Sequence, residues 1–66
     1  MSKYPNVSVP LSGQDGNIFF IIARISRAMK AADVPQEDVH KFQTEVQEAT
    51  SYDEALRVCM RWVECT

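Results

Sequence analysis

Residues 15–32 have the sequence DGNIFFIIARISRAMKAA, the longest segment of this chain with a helical apolar period. At about 100° per residue, its branched and small apolar side chains fall on one stripe, as expected for a helix that faces a core. That stripe consists of Ile18, Ile21, Ile22, Ile25, Ala28, Met29 and Ala32. The segment therefore predicts a central helix around which the rest of the chain packs.

The opposite side of this predicted helix has a different composition. Residues 16–32 contain three cations and no carboxylate, and the aromatic side chains of Phe19 and Phe20 lie outside the apolar stripe. Aromatic and arginine side chains are the types that most often dominate protein interfaces. The predicted partner-binding residues are Phe20, Arg24, Arg27 and Lys30.

Three interpretations of this patch stay open from the sequence. A neighbouring helix of the same chain would cover Phe20 and leave a solvated cationic face. An acidic protein partner would bind the patch, whereas nucleic acid would place phosphates on the cations and a base on Phe20. The net charge of −2 favours the protein partner and argues against an anionic membrane. The predicted function is a non-enzymatic protein-interaction module, with a nucleic-acid-binding accessory protein as the alternative.

Self-association is a further possibility for the same surface. Phe19 and Phe20 are expected to meet either the third helix or a second copy of the chain. In a symmetric dimer Arg24 would approach its own copy, which requires nearby carboxylates such as Glu45 or Glu48. A monomer is therefore predicted, with a homodimer as the alternative.

The length of 66 residues allows one domain, near the lower limit for a core without metal or disulfides. Residues 1–6 are polar and contain Pro5, so a flexible tail is predicted there and a single small helical domain over 7–66. No apolar run reaches the roughly 18 residues of a membrane span, and residues 1–6 lack the design of a signal peptide. The expected location is the cytoplasm.

The predicted fold is mainly α: a compact three-helix domain with a short N-terminal extended segment. The helices are expected near 16–32, 35–49 and 51–63. Ser12, Asp15 and Asn17 are all acceptable caps for the first helix. Pro35 separates the first two helices, and the Ser51 to Glu54 spacing is that of a capping box. The predicted core residues are Ile21, Ile22, Ile25, Phe42, Val46, Leu56, Cys59 and Val63.

The extended segment is predicted at residues 7–11, VSVPL, where apolar and polar residues alternate at the start. Pro10 cannot donate to a ladder, so the segment is restricted to a sheet edge. Residues 62–65, WVEC, form the only other β-favouring run outside the helices. We therefore expect a small two-stranded contact between the termini.

Metal and catalytic sites are not expected. His40, Cys59 and Cys65 are the only soft metal ligands, and they lack the close-spaced pairs of a structural zinc site. On a helix the two cysteines would lie about 9 Å apart, which predicts two reduced thiols, with Cys59 in the core and Cys65 exposed at a frayed end. No cofactor, metal or catalytic residue is predicted, and the protein is not expected to be an enzyme.

Three stretches carry a resemblance: DGNIFFIIARISRAMKAA at 15–32, VPQEDVHKF at 34–42 and EATSYDEALRVCMRWVE at 48–64. They resemble a small uncharacterised protein family of bacterial and bacteriophage genomes, and the likeness covers about residues 7–64. The resemblance implies a three-helix layout and a phage or mobile-element setting, where short proteins commonly bind a host or phage component. It implies no catalytic or binding residue.

Overall fold

The computed structural model describes residues 2–10 and 17–66 of the chain. In chain order, its elements are β1 (Tyr4–Val9), α1 (Ile18–Ala31), α2 (Gln36–Gln47), α3 (Tyr52–Trp62) and β2 (Val63–Cys65). The described residues thus form a mainly α fold of three helices with one small two-stranded sheet, and the predicted fold class is confirmed.

Both ends of α1 have recognisable caps. The Asn17 side chain accepts a hydrogen bond from the Phe19 amide at 3.0 Å, which makes Asn17 the N-cap. Ser12 and Asp15, the other predicted caps, lie outside the described residues. At the C-terminal end Asp33 has a φ of 62°, and the Val34 amide donates to the Met29 carbonyl at 3.0 Å. This is the hydrogen bond of a Schellman motif, with aspartate at the left-handed position that glycine usually occupies.

The starts of α2 and α3 follow the local sequence signals. Pro35 is the N-cap of α2 and the helix begins one residue later. Ser51 caps α3, because its hydroxyl accepts from the Glu54 amide at 3.1 Å. The Glu54 carboxylate accepts from the Thr50 amide at 3.3 Å and from the Thr50 hydroxyl at 2.6 Å. In a standard capping box this carboxylate accepts from the amide of the N-cap residue, whereas here its partner is the residue before the N-cap.

The sheet joins the two termini of the described chain. β1 and β2 are parallel, with Ser8 opposite Glu64 and Val9 opposite Cys65. The register is irregular between Tyr4 and Ser8, the stretch that contains Pro5, which has no amide to donate. The predicted contact between the termini is confirmed.

β1 begins earlier than predicted. The sequence placed a flexible tail at 1–6 and an extended segment at 7–11, whereas residues 4–6 belong to β1 and residue 11 lies outside the described part. The Lys3 amide donates to the Arg61 carbonyl at 2.7 Å, and Ser2 is buried. The prediction of a tail was wrong because it used only the local polarity of residues 1–6. The contacts that hold this segment come from residues near the other end of the chain.

The core lies between the three helices and the sheet. Every predicted core residue is buried except Leu56, which is only partly buried. α3 packs mainly on α2 and β2. Its buried face therefore includes Val58, whereas Leu56 lies at the edge of that face. On α1, Ala32 of the predicted stripe is exposed because it is the C-cap. The strands add Val7 and Val9 to the core.

Candidate protein-interaction surface

The side of α1 that faces away from the core carries a shallow depression of about 510 Å³. We call it the outer patch, and its lining residues are Phe20, Ala23, Arg24, Arg27, Ala28 and Ala31. Ile21, Ile22 and Ile25 fix the orientation of the helix because all three are buried, which leaves Phe20, Arg24 and Arg27 on the solvent side. The structure thus brings Phe20, Arg24 and Arg27 together.

Phe20 is exposed. Its relative accessibility is 59%, so no element of the described chain covers it. No helix among residues 2–10 and 17–66 buries Phe20, so the interpretation in which a neighbouring helix covers it is wrong. Neighbouring Phe19, at 71%, is more exposed still, and α3 does not cover it. Two adjacent aromatic side chains in water on one helix are an unusual apolar exposure for so small a domain.

The side chains of the α1 cations have no partner among the residues that the structure describes. Among the described residues the one ion pair joins Lys3 to Asp38, and the side chains of Arg24, Arg27 and Lys30 form no hydrogen bond or ion pair. Lys30 is exposed in the last turn of α1 but does not line the outer patch. A cation there interacts favourably with the negative end of the helix dipole. Of the predicted partner-binding residues, Lys30 is therefore the one that does not line the outer patch.

A second depression, which we call the groove, opens where α1 meets the turn between α2 and α3. Its volume is about 520 Å³. α1 contributes Ile18, Phe19 and Ile22, and Val46, residues 47 and 49–51, Tyr52 and Ala55 complete the lining. None of these side chains carries a formal charge at neutral pH. The groove is therefore an uncharged, largely apolar site beside a cationic one.

Sequence reasoning missed the groove. Ile22 and Val46 are predicted core residues, and an apolar stripe does not show that one of its ends stays open to solvent. Two signals were present in the sequence: Phe19 lies off the core stripe, and Tyr52 occupies the first turn of α3. Tyr52 is 41% exposed, although the stripe pattern predicts it on the apolar face.

A polar cluster that sequence patterns did not predict holds β1 against α2. The Tyr4 hydroxyl donates a hydrogen bond to the Asp38 carboxylate, and Lys3 Nζ lies 3.7 Å from Asp38 Oδ2. The hydrogen bond from Tyr4 lowers the pKa of Asp38, with a smaller contribution from the Lys3 charge, and it raises the pKa of Tyr4. The cluster holds the N-terminal strand in place.

Trp62 stands at the centre of this end of the molecule. The Tyr4 ring stacks on it with centroids 6.3 Å apart, and Lys3 Nζ lies 4.7 Å from its ring centroid. Its indole Nε1 donates to Glu45 Oε1 at 3.0 Å. Glu45 therefore already has a partner within the chain, and it is less suited to neutralising arginines across a dimer.

The cysteines are both free. Cys59 is fully buried, and burial raises the pKa of its thiol to about 12. Cys65 was predicted at a frayed, exposed end, but it lies partly buried in β2 opposite Val9. In residues 2–10 and 17–66 no group of three or more histidine, cysteine, aspartate or glutamate side chains is arranged to hold a metal ion.

Within the described ranges, no helix is both long and apolar enough to span a membrane.

No family model, curated protein or solved structure matches this chain.

Proposed function

We propose that this chain is a non-enzymatic protein-interaction module that binds an acidic partner through the outer patch. One observation carries the proposal: Phe20 is exposed beside Arg24 and Arg27, which have no partner among the described residues. Covering Phe20 would remove apolar surface from water, and carboxylates of the partner would pair with both arginines. Lys30 adds charge at the edge of this surface.

The alternative function is nucleic-acid binding through the same face. Three cations on α1 would meet phosphates, and Phe20 would stack on an unpaired base. Three phosphate contacts are few, and the net charge of −2 opposes a polyanion. We favour the protein partner for these two reasons.

The biological setting is also part of the proposal. We assign the chain to a bacteriophage or mobile element, where it acts in the cytoplasm as a monomer on a host or phage component. This assignment depends on the resemblance of residues 15–32, 34–42 and 48–64, which is an argument by association.

A paired substitution tests the binding surface. Phe20→Ala combined with Arg24→Glu should abolish capture of the partner from host cells, because it removes the aromatic side chain and reverses one charge. The matched control is Met60→Ala with Arg57→Glu, an exposed apolar residue and an exposed arginine on α3. The control should capture as the wild type does, and both variants should keep its thermal midpoint.

Two results would contradict the proposal. Capture that survives the Phe20 and Arg24 substitutions would show that the partner binds elsewhere. A dimer in sedimentation experiments that these substitutions dissociate would make the outer patch an oligomer interface.

A gel-shift series with single- and double-stranded DNA and RNA separates the two functions. Phosphate contacts release counterions and weaken steeply with salt, whereas an aromatic-centred protein interface weakens less. We expect no tight shift at any salt concentration. Tight, salt-sensitive shifts that Arg24→Glu removes would favour the nucleic-acid function.

A further inference from the structure

The groove and the outer patch are neighbours on α1. Phe19 lines the groove and Phe20 lines the outer patch, so the first turn of the helix separates the two depressions. Ala23 follows Phe19 by one helical turn and is exposed. Because its side chain is small, it does not obstruct the surface between the two depressions. At 1.5 Å per residue, Phe19 and Arg27 are about 12 Å apart along the helix axis. A single bound segment is long enough to contact both depressions.

The two depressions differ in charge. The groove is lined by apolar and uncharged polar side chains, whereas the outer patch carries Arg24 and Arg27 without carboxylates on the same helix. A ligand that fills both must therefore be apolar at one end and anionic at the other. The groove volume of about 520 Å³ is enough for an aromatic or branched side chain.

We propose that this surface binds one acidic amphipathic peptide segment of a partner protein. The apolar residue of the segment occupies the groove between Phe19 and Tyr52, and its carboxylates pair with Arg24 and Arg27. The inference rests on the proposed function, because it uses the same arginines, and it adds the chemistry of the partner and a second contact site.

Nucleic acid fits this combined surface less well than a peptide. A strand that entered the groove would bring phosphates to a site with no cation and with apolar side chains from three elements. Desolvating a phosphate without a compensating charge is unfavourable. A peptide places its charges only where the arginines are.

A second copy of the chain is also a poor occupant. The exposed large apolar side chains of the described residues are Phe19, Phe20, Tyr52 and Met60. The first three already belong to the surface, which leaves Met60 to enter the groove. Met60 lies between Arg57 and Arg61 along α3, and these would meet the cations of α1. Like charges at such a contact oppose association.

Selection from a display library of short random peptides against the immobilised full chain tests the inference. We expect the enriched peptides to pair an aromatic or branched apolar residue with a cluster of carboxylates. Fluorescence anisotropy then measures the affinity of the most enriched peptide for the wild type and for four variants. Phe19→Ser and Arg27→Glu should each weaken binding by about tenfold or more.

The matched controls are Met60→Ser and Arg57→Glu, which change the same residue types on α3. Both should bind within about twofold of the wild type, since neither side chain lines either depression. Phe19 is 71% exposed, so its replacement should leave the fold intact, and thermal melts check this.

Three outcomes of the peptide selection and the binding measurements would overturn the inference. They are no enrichment, enriched peptides without carboxylates or without an apolar residue, and binding that Phe19→Ser leaves unchanged. A dimer in sedimentation experiments that Phe19→Ser dissociates would also overturn it, because the occupant would be a second copy. The proposed function fails separately, when the Phe20→Ala and Arg24→Glu pair does not abolish partner capture.

Discussion

Asp38 receives a hydrogen bond from the Tyr4 hydroxyl and lies 3.7 Å from the Lys3 ammonium. Its carboxylate thus connects α2 to the N-terminal strand. The hydrogen bond and the nearby charge both favour the ionised form, which is why the pKa of Asp38 falls below its usual value of 3.8. Folding stability therefore depends on pH through this residue.

Asp38→Asn should change the acid limb of the stability curve. A carboxyl whose pKa is lowered by folding stabilises the native state above its unfolded pKa, and that contribution is lost as pH falls through the folded pKa. The variant should be less stable than the wild type at neutral pH, and the two should converge below pH 3.8. Urea unfolding across this range measures the difference.

Asp53→Asn is the matched control, because Asp53 also lies in the first turn of a helix and has no hydrogen bond or ion pair among the described residues. This variant keeps the Asp38 carboxylate, so it should keep the loss of stability that accompanies protonation of Asp38. A constant difference between Asp38→Asn and the wild type from neutral to acid pH would show that ionisation of Asp38 does not stabilise the fold.

Contacts of this kind could not be predicted from the sequence. Asp38 is 34 positions from Tyr4, and Glu45 is 17 positions from Trp62. No local pattern encodes these distances, since each pair forms only after the helices and strands have packed. Phe20 is a similar case: the sequence placed it off the core stripe but could not show whether another element covered it.

Helix boundaries were predicted well because the signals for them are local. Ser51 and Glu54 are three residues apart, and Pro35 acts on its immediate neighbours. The buried face of α3 was predicted less well, because it depends on the direction from which α2 and β2 approach. Val58 is buried and Leu56 is only partly so, although the apolar period alone favours the reverse.

Ser51→Ala should destabilise the domain through the start of α3. Loss of an N-cap hydroxyl costs about 0.5–2 kcal/mol, because the Glu54 amide loses its partner. Ser8→Ala is the control, an exposed serine in β1 whose side chain forms no hydrogen bond among the described residues. The free energy of unfolding from urea titration measures both. Equal effects of the two substitutions would show that the cap does not stabilise α3.

At the scale of the whole molecule, the N-terminal and C-terminal segments of the described chain pack against each other. β1 lies beside β2, Lys3 contacts Trp62 and the Thr66 amide donates to the Val9 carbonyl at 3.0 Å. A chain of 66 residues has little core to spare, so these contacts form a substantial part of its stability. Composition did not reveal this, since residues 1–6 are polar when considered alone.

Removing residues 2–6 should destabilise the domain. The deletion takes away the Tyr4 ring on Trp62, the Tyr4 to Asp38 hydrogen bond and the backbone bond from Lys3 to Arg61. Each kcal/mol lost lowers the thermal midpoint of a domain this small by about 4–8 °C. Circular dichroism melts of the two forms measure the shift. An unchanged midpoint would restore the flexible tail that the sequence predicted.

The proposed binding surface lies on α1, and α2 and α3 support it. Amide chemical-shift mapping of the labelled chain, titrated with the captured partner, tests this most directly. We predict that the shifted amides fall in Ile18–Ala31 and in residues 47–55, which line the outer patch and the groove. Shifts confined to the outer faces of α2 and α3, with the α1 amides unmoved, would contradict the claim.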